Sequence, residues 1–255
     1  MEFGQIRRAL IWLKMTPFHP QWFAFLEEKR MFPELAKYVS GRILDVGCGE
    51  RRVEKKLSPD SEYIGLDYLA TASQWYGTKP HIYGDAARLP IADKCMDNVL
   101  VLDVLEHLPN PAACITELAR VLRPGGRIVI QVPFLYPIHD APLDFSRWTI
   151  HGLRRLAQNH GLQIIHERTI GSPLETSTLL TNLALGKLVL ESARRGNLLA
   201  LLAPVLPFFF LLSNILAWLV SRLAPCDGFM AHGYRIVLEK QLISTQDPPN
   251  AAAAH

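Results

Sequence analysis

The chain has 255 residues, which is long enough to bury the core of one domain with an insertion. Its 27 Lys and Arg residues nearly balance its 24 Asp and Glu residues, and a net charge of +3 is too small to indicate a nucleic-acid-binding protein. The four cysteines show neither zinc-ligand spacing nor a disulfide framework, so we expect a reducing, cytoplasmic setting and no metal site.

Residues 1–40 are predicted to form an amphipathic, helical N-terminal segment. Residues 1–20 are basic and aromatic, with apolar residues at helical spacing that end at Pro17 and Pro20. Residues 21–39 are predicted to form a helix that leads into the first strand. No small-residue cleavage site follows the short apolar patch near the N-terminus, so we predict no signal peptide.

Residues 42–50 have the pattern of a buried strand that ends in a glycine turn and opens a helix. Gly47 and Gly49 allow a tight turn and close approach of the backbone to a ligand, which the amides of the next helix would face. Asp45 stands just before the turn, where a carboxylate suits an amine or a hydroxyl better than a phosphate. The D-x-G-x-G pattern therefore disfavours a dinucleotide oxidoreductase, whose fingerprint is G-x-G-x-x-G.

Strands and helices alternate from residue 42 to about residue 170, which predicts a parallel sheet with helices on both faces. Asn110 and Pro111 are the predicted N-cap and first residue of one helix, and Thr149 begins the next. The predicted strands lie at 42–46, 62–67, 81–83, 162–169 and 233–240. Residues 97–108 contain a further strand and the segment that leaves it, and residues 122–130 contain a turn at 124–126 that leads into another strand. The strand at 233–240 is expected to close the sheet as an antiparallel strand.

About 60 residues separate the last two predicted strands, and this insertion contains the chargeless run 198–220. The run is as long as a membrane-spanning helix, but a single crossing would put the closing strand on the wrong side of the membrane. Its companion at 179–190 is short and contains polar residues. Pro204 and Pro207 would break the run into two arms, so a kinked hairpin that dips into one leaflet is favoured. A hydrophobic cap on the domain or at a homodimer interface is the alternative.

Taken in order, these motifs resemble the class I S-adenosylmethionine-dependent methyltransferases, of the bacterial type-11-like kind. The resemblance implies a Rossmann-like methyltransferase fold: an α/β, doubly wound, mostly parallel seven-stranded sheet with a hydrophobic helical insertion before the last strand. It also implies S-adenosyl-L-methionine as the cofactor. The expected divisions are the core at 41–170, the apolar insertion at 171–230, the closing strand at 231–243 and a disordered tail at 244–255.

The resemblance implies the cofactor-binding residues Asp45, Gly47, Cys48, Gly49, Asp67, Tyr68, Asp85, Ala86 and Asp103. Asp45 would lie near the methionine amino group, and Asp67, about 20 residues after the turn, would hold the ribose hydroxyls. Tyr68 would pack on the adenine, whose edge Asp85 would face, and Asp103 would face the methionine part or the acceptor mouth. For each acid the alternative is a helix cap or a solvated loop carboxylate. Cys48 is expected to be a small filler rather than a nucleophile.

The acceptor side is predicted in the loop 133–148, which follows the fifth strand where ligand crevices open in such sheets. His139 is the best candidate for a general base, because an imidazole can accept a hydroxyl proton near neutral pH. Asp140 or Asp144 could orient it, and His107 is the second candidate. Alternatively, His139 and Asp144 only tie down a proline-rich loop.

The sequence therefore predicts a methyltransferase that acts on a small or lipid-linked acceptor at the cytoplasmic face of the inner membrane, by O-methylation of a glycan or isoprenoid-linked hydroxyl. The enzymatic alternative is C-methylation of a quinone-type ring. The alternative from another class is a non-catalytic, membrane-tethered binding subunit. A nucleic-acid acceptor is not expected, because no Asp-Pro-Pro-Tyr type motif follows the fourth strand.

Overall fold

The computed structural model describes residues 13–226 and 228–242, without the side chains of residues 75 and 76. The first part of the predicted N-terminal segment, residues 1–12, and the predicted disordered tail at 244–255 lie outside the described residues.

The centre of the fold is a seven-stranded sheet. Its strands are β1 (Arg42–Val46), β2 (Glu62–Asp67), β3 (Ile82–Tyr83), β4 (Met96–Leu102), β5 (Leu122–Pro133), β6 (Leu162–Ile170) and β7 (Gly233–Lys240). They lie in the order β3-β2-β1-β4-β5-β7-β6. β1 to β5 pair in parallel, whereas β7 runs antiparallel between β5 and β6. The predicted α/β fold with a mostly parallel sheet is confirmed.

Five described helices flank this sheet. They are α1 (Trp22–Leu35), α2 (Pro111–Val121), α3 (Ile150–Asn159), α4 (Pro173–Arg194) and α5 (Leu206–Leu223). The predicted caps form, because the side chains of Asn110 and Thr149 accept hydrogen bonds from the first turns of α2 and α3. The predicted turn at 124–126 lies inside β5, where the register with β4 shifts at a bulge.

The two faces of the sheet bury alternate residues of the same strands. Leu44 and Val99 belong to one core cluster, together with α2 and α3. Ile43 and Leu100 belong to a second cluster on the opposite face, which α1 covers with Leu35. This period of two, with apolar residues on both sides, is the pattern of a strand that is buried on both faces.

The insertion before β7 is a pair of helices. Ser172 and Glu175 form a complete capping box, so α4 begins earlier and is longer than the apolar stretch 179–190. The chargeless run 198–220 begins with a short 3-10 helix at Leu198–Leu202 and continues into α5. Pro207 lies in the first turn of α5, where the missing backbone N–H costs the helix little stability. Among the described helices, α5 alone has the length and composition of a membrane span.

A buried polar contact joins the helix pair to the N-terminal segment. Asn182 of α4 donates a hydrogen bond to Asn214 of α5 at 3.0 Å. Asn214 in turn donates to the carbonyls of Pro17 and His19, at 2.8 and 3.1 Å. Both asparagines are fully buried, so these bonds satisfy amides that would otherwise be costly to bury. They also fix the point where the chain enters α1.

Candidate active site

A cavity of about 840 Å³ opens at the carboxyl ends of β1, β2, β4 and β5. Its size is within the usual range for small-molecule sites. All nine residues predicted to bind the cofactor line it, as do His107, His139 and Asp140. The candidate donor and acceptor residues, which the sequence spreads over about 100 positions, therefore share one cavity.

The glycine turn after β1 forms the floor of the cavity. Gly47 has a φ of +75°, and its N–H donates to the carbonyl of Leu66 at 2.8 Å. A Cβ at this position would lie 2.3 Å from the Val104 side chain, so the backbone can pass here only as glycine. A Cβ on Gly49 would meet no atom within 4 Å, so the turn leaves open space beside its backbone.

Asp67 is held rigidly at the end of β2. Its Oδ2 accepts a hydrogen bond from the N–H of Gly49 at 2.9 Å, and its Oδ1 accepts from Tyr68 N–H at 2.7 Å and from the Thr71 hydroxyl at 3.1 Å. These donors fix the carboxylate and tie it to the glycine turn. Oδ2 keeps a lone-pair site for a ligand hydroxyl on the cavity side, whereas the two hydrogen bonds to Oδ1 fill both of its sites.

Asp45 is buried and paired with a residue that the sequence analysis did not select. The hydroxyl of Tyr63 donates to Asp45 Oδ2 at 2.6 Å. Burial raises the pKa of Asp45 to about 6, against the opposing effect of the Tyr63 hydrogen bond. Burial also raises the pKa of the Cys48 thiol to about 12, with the charges of Asp45 and Asp67 adding to the effect. A neutral thiol is a poor nucleophile, in line with the predicted filler role.

Two loops, one after β2 and one after β3, complete the cofactor end of the cavity. Asp85 follows β3, and its carboxylate accepts a hydrogen bond from Ala87 N–H at 2.8 Å, so the residue both caps a turn and lines the wall. Ala86 is buried beside it, and the ring of Tyr68 is exposed on the cavity side. The two alternatives for Asp85, a cap and a ligand contact, are thus compatible.

Asp103 follows β4 in a left-handed conformation, with a φ of +55° that is unusual for a residue other than glycine. Its Oδ2 accepts a hydrogen bond from Gln131 Nε2 at 2.9 Å. The residue is exposed where it faces the cavity, and desolvation by the protein around it, followed by the charge of Glu106, raises its pKa. A strained acid with a raised pKa is typical of functional sites.

The acceptor end is built around two histidines and a buried acid. The rings of His107 and His139 lie 4.9 Å apart, edge to face. The Nε2 atom of each lies 3.7 Å from Oε1 of Glu106, which is fully buried. The sequence analysis did not select Glu106, although the Glu-His pair at a strand exit was the available signal.

Asp144 contacts both the backbone and the ring of His139. It accepts a hydrogen bond from the His139 backbone N–H at 2.9 Å, and its Oδ2 lies 3.4 Å from Nδ1 of the ring. Arg147 clamps Asp144 and holds its pKa well below the usual range. Glu106, followed by Asp144, raises the pKa of His139, while burial acts in the opposite direction. Asp140, the other acid predicted to orient His139, lies on the cavity wall with a φ of +49°.

Helix α1 forms a wall of the cavity, which the sequence analysis did not predict. Phe25, Glu28 and Met31 line it, and Gln21 just before the helix donates a hydrogen bond to the Tyr136 hydroxyl at 2.6 Å. Only the amphipathic pattern of 21–39 hinted at a packed helix. Nothing in that pattern indicates which end of the sheet the helix would cover.

A buried charge network, defined by Glu27, Glu34, Gln131 and Arg235, anchors α1 to the sheet. Arg235 of β7 is 1% exposed and donates to Glu27 at 2.9 Å and to Glu34 at 2.6 Å. It also donates to the side-chain oxygen of Gln131, which in turn donates to Asp103. The network therefore runs without interruption from the cavity wall to the acid at the end of β4.

Residues 44–130 match the family model described as a methyltransferase domain. The matched range contains the glycine turn, Asp67, Asp85 and Asp103, which all line the cavity. The chain carries a class I S-adenosylmethionine-dependent methyltransferase domain. S-adenosyl-L-methionine is the cofactor of this family, and the predicted recognition and cofactor are confirmed.

Similar curated proteins match about half of this chain. A Mycolicibacterium smegmatis protein named "Probable S-adenosylmethionine-dependent methyltransferase" is 33% identical over 47% of this chain and 50% of its own length. A fatty-acid O-methyltransferase of the same organism is 31% identical over 51% of this chain and 46% of its own length. A demethylmenaquinone methyltransferase of Staphylococcus saprophyticus is 30% identical, over 44% and 50%. The chain spans about half the length of these relatives.

Solved structures support the fold of the methyltransferase domain. A chain of the Haloferax volcanii complex that contains the Trm112 methyltransferase activator is 15% identical, with a TM-score of 0.53 over 94% of this chain and 96% of its own. The cyclase SpnF is 17% identical, with a TM-score of 0.52 over 84% and 80%. Because a cyclase shares the fold, the fold alone does not define the reaction.

Proposed function

We propose that the protein transfers a methyl group from S-adenosylmethionine to a hydroxyl of a lipid-linked acceptor at a membrane surface. The observation that carries this proposal is the single cavity, which joins the glycine turn and Asp67 to the histidine pair. Methyl transfer is an in-line displacement, so its main requirement is that donor and acceptor are held together in attack geometry. One continuous cavity with both sets of residues meets that requirement.

The cofactor end fits S-adenosylmethionine on the chemistry of its own residues. The open space at Gly49 admits a ligand against the backbone, and the fixed Asp67 carboxylate suits vicinal hydroxyls. Asp45 suits an ammonium group, and Tyr68 offers an aromatic face. When bound, the cofactor supplies an electrophilic methyl group on a sulfonium. The role of the chain is to hold it, to exclude water, and to place the acceptor oxygen in line.

Cofactor affinity is expected to fall as the pH drops through about 6. Asp45 must be ionised to pair with the ammonium group, and its raised pKa means that it takes up a proton as the pH falls below that value. Binding should be constant above pH 7 and weaken by close to tenfold per pH unit below the pKa. Calorimetric titration with S-adenosylmethionine between pH 5 and 8 measures this directly.

The matched variants for this test are Asp45→Asn and Asp60→Asn. Asp45→Asn should bind more weakly but without the pH dependence, whereas Asp60, an exposed acid just before β2, should have no effect when replaced. A wild-type affinity that does not change between pH 5 and 8 would contradict the role given to Asp45.

The lipid-linked acceptor is inferred from an exposed apolar stripe on α5. Its residues are Phe208, Leu212, Leu216, Leu219 and Leu223, all exposed. Their spacing of three or four places them on one helix face, which points away from the Asn214 contact with α4. The Arg222 guanidinium lies over the Trp218 ring at 4.1 Å, a pairing suited to a membrane interface.

The helix pair also borders the acceptor end of the cavity. Phe23 of α1 packs with Leu179 and Ala217 in a cluster that includes Tyr136, and Tyr136 lines the cavity. The stripe and this cluster lie on opposite faces of α5, so the helix connects the proposed membrane surface with the acceptor end of the cavity. The fatty-acid O-methyltransferase relative acts on an acceptor of similar amphipathic chemistry, which supports this choice.

Removing part of the stripe is expected to release the protein from membranes. The double variant Phe208→Ser and Leu212→Ser replaces side chains that are 66% and 69% exposed, so folding should change little. Partitioning onto phosphatidylglycerol–phosphatidylcholine vesicles should fall by about tenfold or more, as the loss of two apolar anchors implies. Flotation assays measure the bound fraction. Ile165→Ser with Leu242→Ser, exposed residues away from the stripe, is the control. An equal loss of vesicle binding in both double variants would contradict the assignment of the apolar stripe as the membrane-binding surface.

C-methylation of a quinone-type ring is the second candidate, because a relative is a demethylmenaquinone methyltransferase. Both candidates take an isoprenoid-linked acceptor, so they share the apolar stripe. Mass spectrometry of lipid extracts from cells with and without the protein would locate the added 14-dalton unit, which is the mass of one CH₂. If fragmentation places the added unit on a ring carbon, C-methylation is the reaction and O-methylation is contradicted.

A further inference from the structure

A cluster of three metal-ligating side chains lies at the acceptor end of the cavity. One carboxylate oxygen of Glu106 and one ring nitrogen each of His107 and His139 all lie within 4.8 Å of one another. Among the described residues, neither oxygen of Glu106 has a hydrogen-bond partner, although the side chain is 0% exposed. A buried carboxylate without such a partner is costly, so a cation bound at the cluster would stabilise it.

We propose that Glu106, His107 and His139 bind a divalent transition-metal ion that activates the acceptor hydroxyl. The role in activation rests on the proposed methyltransferase function, whereas the binding of the ion does not. The proposal departs from the sequence expectation of no metal site, which rested on the cysteine spacing alone.

The distances favour a coordination site over an ion pair. Both Nε2 atoms lie 3.7 Å from Glu106 Oε1, which is too long for a charge-assisted hydrogen bond of about 2.8 Å. Ligand atoms around a tetrahedral ion with bonds of 2.0–2.2 Å are separated by about 3.4 Å. A movement of a few tenths of an ångström would therefore bring each ring nitrogen to that spacing from the carboxylate oxygen, and the two ring nitrogens lie within 4.8 Å of one another.

The ring nitrogens that face away from Glu106 have acceptors of their own. His107 Nδ1 lies 2.6 Å from the carbonyl of Leu143, and His139 Nδ1 lies 3.3 Å from the carbonyl of Pro137 and 3.4 Å from Asp144. A carbonyl can only accept, so the proton of each ring belongs on Nδ1 and the lone pair of Nε2 faces the cluster. Metal-binding histidines are oriented by this kind of outer contact.

The cluster is also braced along the backbone. The carbonyl of Glu106 accepts hydrogen bonds from Phe145 N–H at 2.9 Å and Ser146 N–H at 3.3 Å, which joins the strand exit to the loop that carries His139. Two imidazoles with one carboxylate form a ligand set that suits zinc or ferrous iron, whereas Mg²⁺ prefers oxygen ligands alone. His107 and His139 line the cavity, so the remaining coordination positions face the acceptor.

A bound ion would give the acceptor hydroxyl a Lewis acid next to its oxygen. The hydroxyl proton would pass to solvent at the open mouth of the cavity, and the oxygen electron pair would form the new O–CH₃ bond. The S–CH₃ bond of the donor breaks at the same time, and its electron pair stays on sulfur. His139 is then a ligand instead of the general base that the sequence predicts, because its free lone pair is used by the ion.

The test is metal binding by the full chain, prepared without a polyhistidine tag and dialysed against a chelator. Titration with Co²⁺, followed by its visible absorption, and with Zn²⁺, followed by calorimetry, should each give one ion per chain. Glu106→Gln and His139→Gln should each weaken binding by about 100-fold or more. His151→Gln removes an exposed imidazole on α3 and should bind the ion like the wild type.

Binding of S-adenosylmethionine is measured on the same samples. A chain that binds the cofactor but neither ion overturns the metal site and leaves the proposed function standing. A chain that binds the ion but not the cofactor overturns the proposed function and supports the site. Because Glu106 is buried, His107→Gln, at a partly exposed side chain, is the second variant, with folding checked by thermal melting. Unchanged Co²⁺ affinity in folded His107→Gln and His139→Gln would also overturn the site.

Discussion

Replacement of Asp67 by alanine should weaken the binding of S-adenosylmethionine by about 10- to 100-fold, since a charge-assisted hydrogen bond to the ligand is lost. The Asp67 carboxylate is already fixed by Gly49, Tyr68 and Thr71. Cofactor binding therefore costs little conformational entropy at this side chain in the wild type. Calorimetry with the cofactor and with its demethylated product measures the loss.

Two further variants separate binding from folding at this position. Asp67→Asn keeps the shape and one acceptor oxygen but removes the charge, so its affinity should lie between those of the wild type and Asp67→Ala. Asp60→Ala, at an exposed acid, should bind normally. If Asp67→Ala is folded and binds the cofactor as tightly as the wild type does, the assignment of the ribose site to Asp67 is wrong.

Replacement of Arg235 by alanine should lower the free energy of unfolding by about 3 kcal/mol, because it leaves Glu27 and Glu34 buried with less compensating charge. Arg168, which also contacts both carboxylates, keeps the loss near the lower end of the range for broken buried pairs. Urea denaturation measures the change. Arg127→Ala breaks the partly exposed cross-strand pair with Glu239 on the same two strands and should cost less than about 1 kcal/mol. Equal losses in the two variants would contradict a special role for the buried network.

The fold was predictable because its signals are local. Each central strand, such as Arg42–Val46, is a short apolar run next to a turn, and its helix partners carry caps such as Asn110 within the same few residues. The cofactor end was predictable for a related reason. Asp45 and Asp67 lie at the carboxyl ends of β1 and β2, Asp103 follows β4, and parallel strands place their carboxyl ends at one edge of the sheet. Their individual roles toward the cofactor stay predictions.

The residues that sequence analysis missed meet their partners across long stretches of chain. Tyr63 reaches Asp45 only through the pairing of β1 with β2, and Gln21 reaches Tyr136 across 115 residues. No spacing rule connects such positions. Glu106 was missed for a different reason, because its burial without a partner is visible only when the loop that carries His139 has folded over it.

The contacts that hold α1 over the cavity also determine the order in which the fold can form during synthesis. Glu27 pairs with Arg235, 208 residues later, and the carbonyl of Pro17 is bonded by Asn214, 197 residues later. During synthesis from the N-terminus, the whole cofactor motif leaves the ribosome before either partner of α1 exists. A nascent chain that ends after β6 therefore has its ligand-binding turn and Arg168, but it lacks the Arg235 and Asn214 contacts that complete the anchoring of α1 over the cavity.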